Sequence, residues 1–290
     1  MTKRDEIKRA IQDVVCSMMD GVLDKVLHKD PFLVDKHRAE RPIYAALVPD
    51  EIFKGSHFER RFVTPFGKVW ERIAAAVAAQ ALGSAEIGHR IVGNVRAERM
   101  RRIQETLNRL EHGRDEGTGD RIRPDWEEEL AYVLAGGGEP IPTEVICDVF
   151  AWTNDGHKRL AFEIKAPLPN SDQTKVSKEK ILKLYAMEPR EVTGAYYALP
   201  YNPYGRERSA YAWGIPGRWF DMLADPVVLI GHELWDALGG EGTYDAFIEA
   251  VNELGEGYRE RIYREYLGIE PPEPPDGPFE IKESDGRYEP

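Results

Sequence analysis

The segment ICDVFAWTNDGHKRLAFEIK, residues 146–165, constrains this chain more than any other stretch. β-Branched and aromatic residues fill both ends, and Asn-Asp-Gly stands between them, which is a hairpin pattern. Strands are therefore expected over 145–152 and 160–166. In the second, Leu160, Phe162 and Ile164 share one face, and Ala161, Glu163 and Lys165 share the other. If the turn is the two-residue Asp155-Gly156, the register sets Asp148 directly across from Glu163. A one-residue change in loop length would break that pairing.

Directly opposed side chains stand roughly 4.5–5.5 Å apart at Cβ. Two like charges at that range repel by about 1 kcal/mol in water, and several-fold more in a partly dry cleft. A divalent cation offsets that repulsion. Two carboxylates and a backbone carbonyl, here that of Ile164, are oxygen ligands that Mg²⁺ accepts, with waters completing the shell. Lys165 could hold or help deprotonate an attacking water, or neutralise charge building on a phosphate. The set Asp148, Glu163, Lys165 therefore points to metal-dependent phosphodiester hydrolysis. The plainer reading is a hydrated strand face with a Glu–Lys pair and a nearby Asp. The otherwise apolar strands argue against it, because the acids are not part of a polar run.

Charge distribution bears on the substrate. The net charge is −12, but residues 231–290 carry 16 acids and 5 bases, leaving the remainder close to neutral. Within that remainder, 54–72 has five bases against two acids, 90–102 has five against one, and 165–190 has six against three. Local basic surfaces of this kind suit a DNA-binding face, although solvated helices segregate charge in the same way. The two cysteines, Cys16 and Cys147, form no metal-site spacing or disulfide framework. The N-terminal MTKRDEIKRA lacks an apolar secretory core, and no apolar run is long enough to span a bilayer. A soluble, cytoplasmic protein with no membrane partner is expected.

The N-terminal third reads as helical. Apolar residues recur at three- and four-residue spacing over 3–28. Residues 30–58 read as irregular, broken by Pro31, Pro42, Pro49 and Gly55. Thr64 and Pro65 suit the start of a second helix ending at Gly83. A third helix is expected over 95–112, and a short one, WEEELAYVL, after Asp125. Beyond the hairpin, Ser171 or Asp172 would cap a basic helix through Ala186. Strands follow at 193–199 and 227–230, then a helix over 244–266. The fold class is α/β, a mixed central sheet flanked by helices, with helical N- and C-terminal elaborations. Residues 1–270 are expected to form one domain: a mainly helical part to 135, a catalytic sheet core over 136–235, and a C-terminal helix over 236–270. The stretch 271–290 is an acidic, Pro-rich tail.

Other motifs lead nowhere. His232-Glu233 is followed by Asp236 where a metalloprotease helix needs His. The glycines of GGEGTY lack a phosphate-loop lysine, and no Gly-x-Ser-x-Gly is present.

The triplet Asp148, Glu163 and Lys165 resembles the core of the PD-(D/E)xK nucleases. The runs EIKAPLPNSDQTKVSKEKILKL, YNPYGRERSAYAW, VLIGHELWDALGGEGTY and SHFERRFVTPFGKVWERIAAAVA are similar to the TdeIII-type family of type II restriction endonucleases. Together they cover most of residues 56–245. The resemblance implies a restriction-endonuclease-like fold. It also implies Mg²⁺-dependent double-strand cleavage of double-stranded DNA at a short palindrome by a homodimer. Asp148, Glu163 and Lys165 fall on the catalytic positions, with Cys147 where the short motif often has Pro. Glu71 lies on the helix that the family sets beside the sheet. It would orient a water or bind a second ion, or simply pair with Lys68 or Arg72. Lys175, Lys178, Lys180 and Lys183 would meet phosphates or form a solvated face. Asn170 and Gln173 would reach base edges, unless Asn170 only caps a turn. Arg206 and Arg208 would contact guanines, or form surface ion pairs around Glu207. A structure-selective repair nuclease and a silent DNA-binding protein are the rival readings.

Overall fold

The computed structural model describes residues 2–115 and 117–272. Helix α1 (Lys3–Asp24) opens with a capping box in which the Thr2 hydroxyl accepts from Asp5 N and the Asp5 carboxylate from Thr2 N. It passes into a wider π-type turn at Lys25–Lys29. The next stretch is helical rather than irregular: α2 (Val34–Glu40), α3 (Pro42–Leu47) and the start of α4 (Asp50–Leu82). Pro42 and Pro49 sit at helix starts, where a missing N–H breaks no bond.

Helix α4 runs straight through Pro65, which was expected to begin it. Thr64 does not cap; its hydroxyl donates to the Arg60 carbonyl at 3.1 Å. The reason lies in an aromatic ladder at four-residue spacing. Phe58, Phe62, Phe66 and Trp70 pack in sequence with centroids 5.0–6.1 Å apart, the last pair edge to face. That packing spans the proline and outweighs its roughly 3 kcal/mol helix penalty.

Strands β1 (Gly83–Ile87) and β2 (Arg90–Arg96) follow, neither of which was expected. Then come α5 (Ala97–His112) and α6 (Trp126–Leu134), the latter capped by Asp125 as anticipated. The expected strand over 145–152 is two strands, β3 (Pro140–Ile146) and β4 (Val149–Thr153), in different sheets. The two pairs form one long antiparallel ribbon. Its register runs unbroken from Gly83↔Thr153 through Ile87↔Val149 to Arg90↔Ile146 and Arg96↔Pro140. Gly88 N to Asp148 O and Cys147 N to His89 O carry it across the gap. At that point the ribbon bends from one sheet into the other, and Gly88 takes φ +66°, which favours glycine. Asp148 stands on the bend.

Strand β5 (Arg159–Ile164) pairs antiparallel with β4, from Trp152↔Arg159 to Val149↔Phe162. The ladder pairs end there: Asp148 N bonds to Phe162 O at 3.1 Å, one residue off that register, so the expected pairing of Asp148 directly across from Glu163 gives way to a bend at Asp148. The turn is wider than expected. Thr153 N bonds to Lys158 O, leaving a four-residue loop. Both loops are even and share one centre, so the wider one keeps the same pairs.

Helix α7 (Ser171–Ala186) returns along the sheet and leads through β6 (Met187–Glu188) to β7 (Gly194–Leu199) and β8 (Val228–Ile230). Its cap is Asn170, which accepts from Gln173 N at 2.9 Å, rather than Ser171 or Asp172. Helices α8 (His232–Gly239) and α9 (Thr243–Arg261) complete the described chain, with a π-type turn at Ile262–Leu267. The tail expected over 271–290 lies, from residue 273 on, outside the described residues.

The five-stranded sheet has the order β1-β4-β5-β7-β8, with β5, β7 and β8 parallel and the rest antiparallel. Leu160, Phe162 and Ile164 enter a core shared with α1, α4, α8 and α9. Phe150, Ala161 and Tyr197 enter a second core with α5, α6 and α7. This is the mixed, helix-flanked α/β sheet that the sequence pattern predicts.

Lys178 corrects an expectation. It is fully buried, not set against solvent for phosphate. Its Nζ makes a close ionic contact with Glu129 at 2.5 Å, and stands 4.6–5.0 Å from the Phe220 and Trp126 ring centroids. Burial holds the Glu129 carboxyl above its ordinary value, against the pull of Lys178. Losing one partner of such a pair leaves an uncompensated charge in the core. Lys178→Ala should therefore lower unfolding stability by about 3–5 kcal/mol. Lys183→Ala, which loses only a partly exposed one-turn pair with Glu179, should lower it by about 0.5 kcal/mol. Urea denaturation followed by circular dichroism measures both; equal losses would contradict the buried placement.

Candidate active site

The ribbon bend and the end of β5 bring three expected residues together. Asp148 Oδ2 accepts from Ile164 N at 2.8 Å and from Lys165 Nζ at 2.7 Å. Lys165 Nζ also donates to Glu163 Oε2 at 3.2 Å. One ammonium thus lies within hydrogen-bond reach of both carboxylates. A second cation comes from α7: Lys180 Nζ donates to the two Glu163 oxygens at 2.8 and 3.0 Å. Lys180 was expected only on DNA phosphates or a solvated face. Its link to Glu163 needs the return path of α7, which no local sequence signal supplies.

The electrostatics follow from this packing. Glu163 is 1% exposed. Burial first, and the Asp148 charge second, push its carboxyl above the usual range, while Lys165 and Lys180 pull it back. Burial alone would lower Lys165, but Glu163 and Asp148 more than offset this, so its ammonium is held above its ordinary value. Burial and then Glu163 push the neighbouring Cys147 thiol up to about 12, which keeps it neutral and inert.

Glu71 projects from α4 into the same field. Burial raises its carboxyl, then the Asp148 charge, with Lys165, Lys68 and Lys180 acting the other way. Neither Lys68 nor Arg72 pairs with it among the described residues; Arg72 donates instead to Ser17 at 3.3 Å.

The donor set suits a hard cation that keeps most of its waters. Two carboxylates share one ammonium, so they converge on a common point of positive charge. Ile164 N faces Asp148, and in a strand the carbonyl of a residue points to the same side as its N–H. Among the described residues no group of three or more His, Cys, Asp or Glu is placed to hold a metal. A closed protein cage is therefore not the right comparison. A hard divalent cation bound through one or two carboxylates, with water filling the rest of its shell, is.

The residues expected on DNA divide. Asn170 and Gln173 are exposed at the first turn of α7, although Asn170 spends its side-chain oxygen on the cap. Lys175 pairs with Glu111 and lies 5.6 Å over the Trp219 ring. Arg206 meets Asp245 at 2.8 Å and covers the Tyr244 ring. Arg208 is corrected as a base reader. Its guanidinium forks onto Glu233 at 2.7–3.1 Å and donates to the Asp225 and Val228 carbonyls. It braces β8 against the loop before it and has little left for a base.

Comparison with known proteins agrees with this geometry. The chain matches the family model "Type II restriction endonuclease, HinfI" over residues 7–255. It is 27% identical over 232 residues to the type II restriction enzyme HgiCII of Herpetosiphon aurantiacus, covering 74% of this chain and 77% of that enzyme. HgiEI of the same organism is 26% identical over 257 residues, covering 87% and 91%. HgiBI, also from Herpetosiphon aurantiacus, is 25% identical over 228 residues, covering 78% and 81%. Among the described residues no helix is long and apolar enough to cross a membrane. With most of its length inside that family model and a carboxylate–lysine cluster at the bend of its sheet, the chain belongs to the HinfI family of type II restriction endonucleases, which are site-specific deoxyribonucleases.

Proposed function

We propose that this chain makes Mg²⁺-dependent double-strand cuts at a short palindromic DNA sequence, through a PD-(D/E)xK site built from Asp148, Glu163 and Lys165. The observation that carries the reading is the shared ammonium: Lys165 reaches Asp148 at 2.7 Å and Glu163 at 3.2 Å. The likeness to TdeIII-type enzymes and the treatment of residues 1–270 as one nuclease domain belong to the same reading.

Asp148, Glu163 and the Ile164 carbonyl would hold Mg²⁺, which would polarise the scissile phosphate and make water a stronger nucleophile. Ile164 N fixes the Asp148 carboxylate at the end of β5. Lys180, after Lys165, draws Glu163 back toward its ionised form against burial. The Lys165 ammonium orients the attacking water or donates to a non-bridging phosphate oxygen. Glu71, near but unpaired, would orient the same water. A water oxygen bonds to phosphorus, the bond to the 3′-oxygen breaks, and that oxygen takes a proton. A palindrome presents the same linkage twice, which fits two copies of one chain related by a two-fold axis.

Incubating the purified protein with plasmid DNA and Mg²⁺ tests the reading. Discrete bands with mappable ends are expected. No cutting in Mg²⁺ or Mn²⁺ at low salt would overturn it, and cutting of branched DNA alone would favour a repair nuclease. Glu163→Gln and Lys165→Ala should each slow single-turnover cleavage by about 10²–10³-fold, the usual loss when charge stabilisation at a reacting centre is removed. Glu71→Gln should slow it by about 10–100-fold, as loss of an outer partner does. If Glu71→Gln cleaves at the wild-type rate, Glu71 takes no part in the reaction.

A further inference from the structure

Three arginines outside the catalytic cluster make no ion pair among the described residues, although the Arg218 charge acts on Glu111 at longer range. Arg121 and Arg123, from the loop between α5 and α6, and Arg218, from the turn Pro216–Arg218, line one open cleft of about 390 Å³. No hydrogen bond or ion pair engages their guanidinium groups among the described residues. Arginines nearer the sheet behave differently: Arg99 meets Glu188, Arg102 meets Glu98, Arg206 meets Asp245 and Arg208 meets Glu233. Asp120 is the single acid in the lining. Gly214 and Gly217 border open space, so no side chain fills the cleft from that side.

The cleft is tied to the catalytic strand. The segment leaving β5 is laced to the 211–219 loop by three hydrogen bonds. The Tyr211 hydroxyl donates to Pro167 O at 2.8 Å, Trp213 Nε1 to Pro169 O at 3.0 Å, and Trp219 Nε1 to Ser171 Oγ at 3.1 Å. Arg218 stands next to Trp219, whose ring lies under Lys175. Through Trp219, Arg218 adjoins the first turn of α7, whose positive dipole end and exposed Gln173 lie just past Lys165 in the chain, and Arg121 and Arg123 share its cleft.

Guanidinium groups that line one cleft repel one another unless an anion lies between them, and their planar forks match phosphate oxygens. We infer that Arg121, Arg123 and Arg218 grip backbone phosphates of the DNA beside the scissile linkage, holding the duplex against the exit of the catalytic strand. This rests on the DNA-cleaving reading above.

The test uses Arg121→Gln/Arg123→Gln/Arg218→Gln and two synthetic duplexes in EDTA, one carrying the sequence that the wild type cuts and one scrambled. Fluorescence anisotropy across 50–200 mM salt reads the affinity. Affinity for both duplexes should fall by the same factor, about tenfold or more at the low-salt end. The slope of log K against log[salt] should become shallower by about 0.9 for each phosphate that is no longer neutralised. Thermal melting and Mn²⁺ affinity should stay at wild-type values. If the triple variant melts early, Arg123→Gln alone should make the slope shallower by about 0.9. Wild-type affinity and slope in the variant would overturn the inference. So would a loss confined to the cut sequence, which would make the arginines base readers. A wild-type protein that neither binds nor cuts DNA would instead sink the DNA-cleaving reading itself.

Discussion

Asp148 Oδ2 takes two donors at once, the Ile164 N–H and the Lys165 ammonium. That one atom ties the backbone at the end of β5 to the candidate catalytic cluster. It can do so only because the long β-ribbon bends between two sheets at Gly88 and Cys147. A straight ribbon would carry Asp148 on as an ordinary strand residue, bonded along a ladder. The bend frees its side chain to close over the end of β5. The site is therefore a product of sheet topology, and the remaining residues are arranged around it.

The arrangement works against stability locally. Two carboxylates share one face, and one of them is almost wholly buried. Burial and mutual repulsion both disfavour their charged forms, and two lysines offset this. The same two carboxylates on one face are the groups a divalent cation would engage. Lys178 and Glu129 use a similar ionic pair for another purpose. Deep in the core and stacked on aromatic rings, they anchor α7 and so fix where Lys180 meets Glu163.

Much of this was legible in the sequence. The hairpin register follows from alternation and from a turn centred on Asp155-Gly156, and it survives an error in turn width because both loops are even. The ribbon bend was not legible. The run 145–152 has the composition of one strand, and only pairing with β1 and β2 divides it. Pro65 misled for a related reason: a local breaker was weighed without the aromatic ladder on both sides of it, although that four-residue spacing was present to be read. Lys178 also had a signal. It lies on the stripe of Thr174, Ser177 and Ile181 that faces the core, so a lysine there needed a buried partner. Arg208 had none, since Glu233 meets it across 25 residues of chain. The arginine cleft was likewise hidden, because its members come from two distant loops.

The most direct test of the central claim is equilibrium Mn²⁺ binding without DNA, read by titration calorimetry on the wild type, Asp148→Asn and Glu163→Gln. If the two carboxylates converge on one cation, the wild type binds the ion and each variant weakens binding by about tenfold or more, with unchanged thermal melting. Equal affinity in all three proteins would contradict the account, because the ion would then have no need of the bend that brings these side chains together.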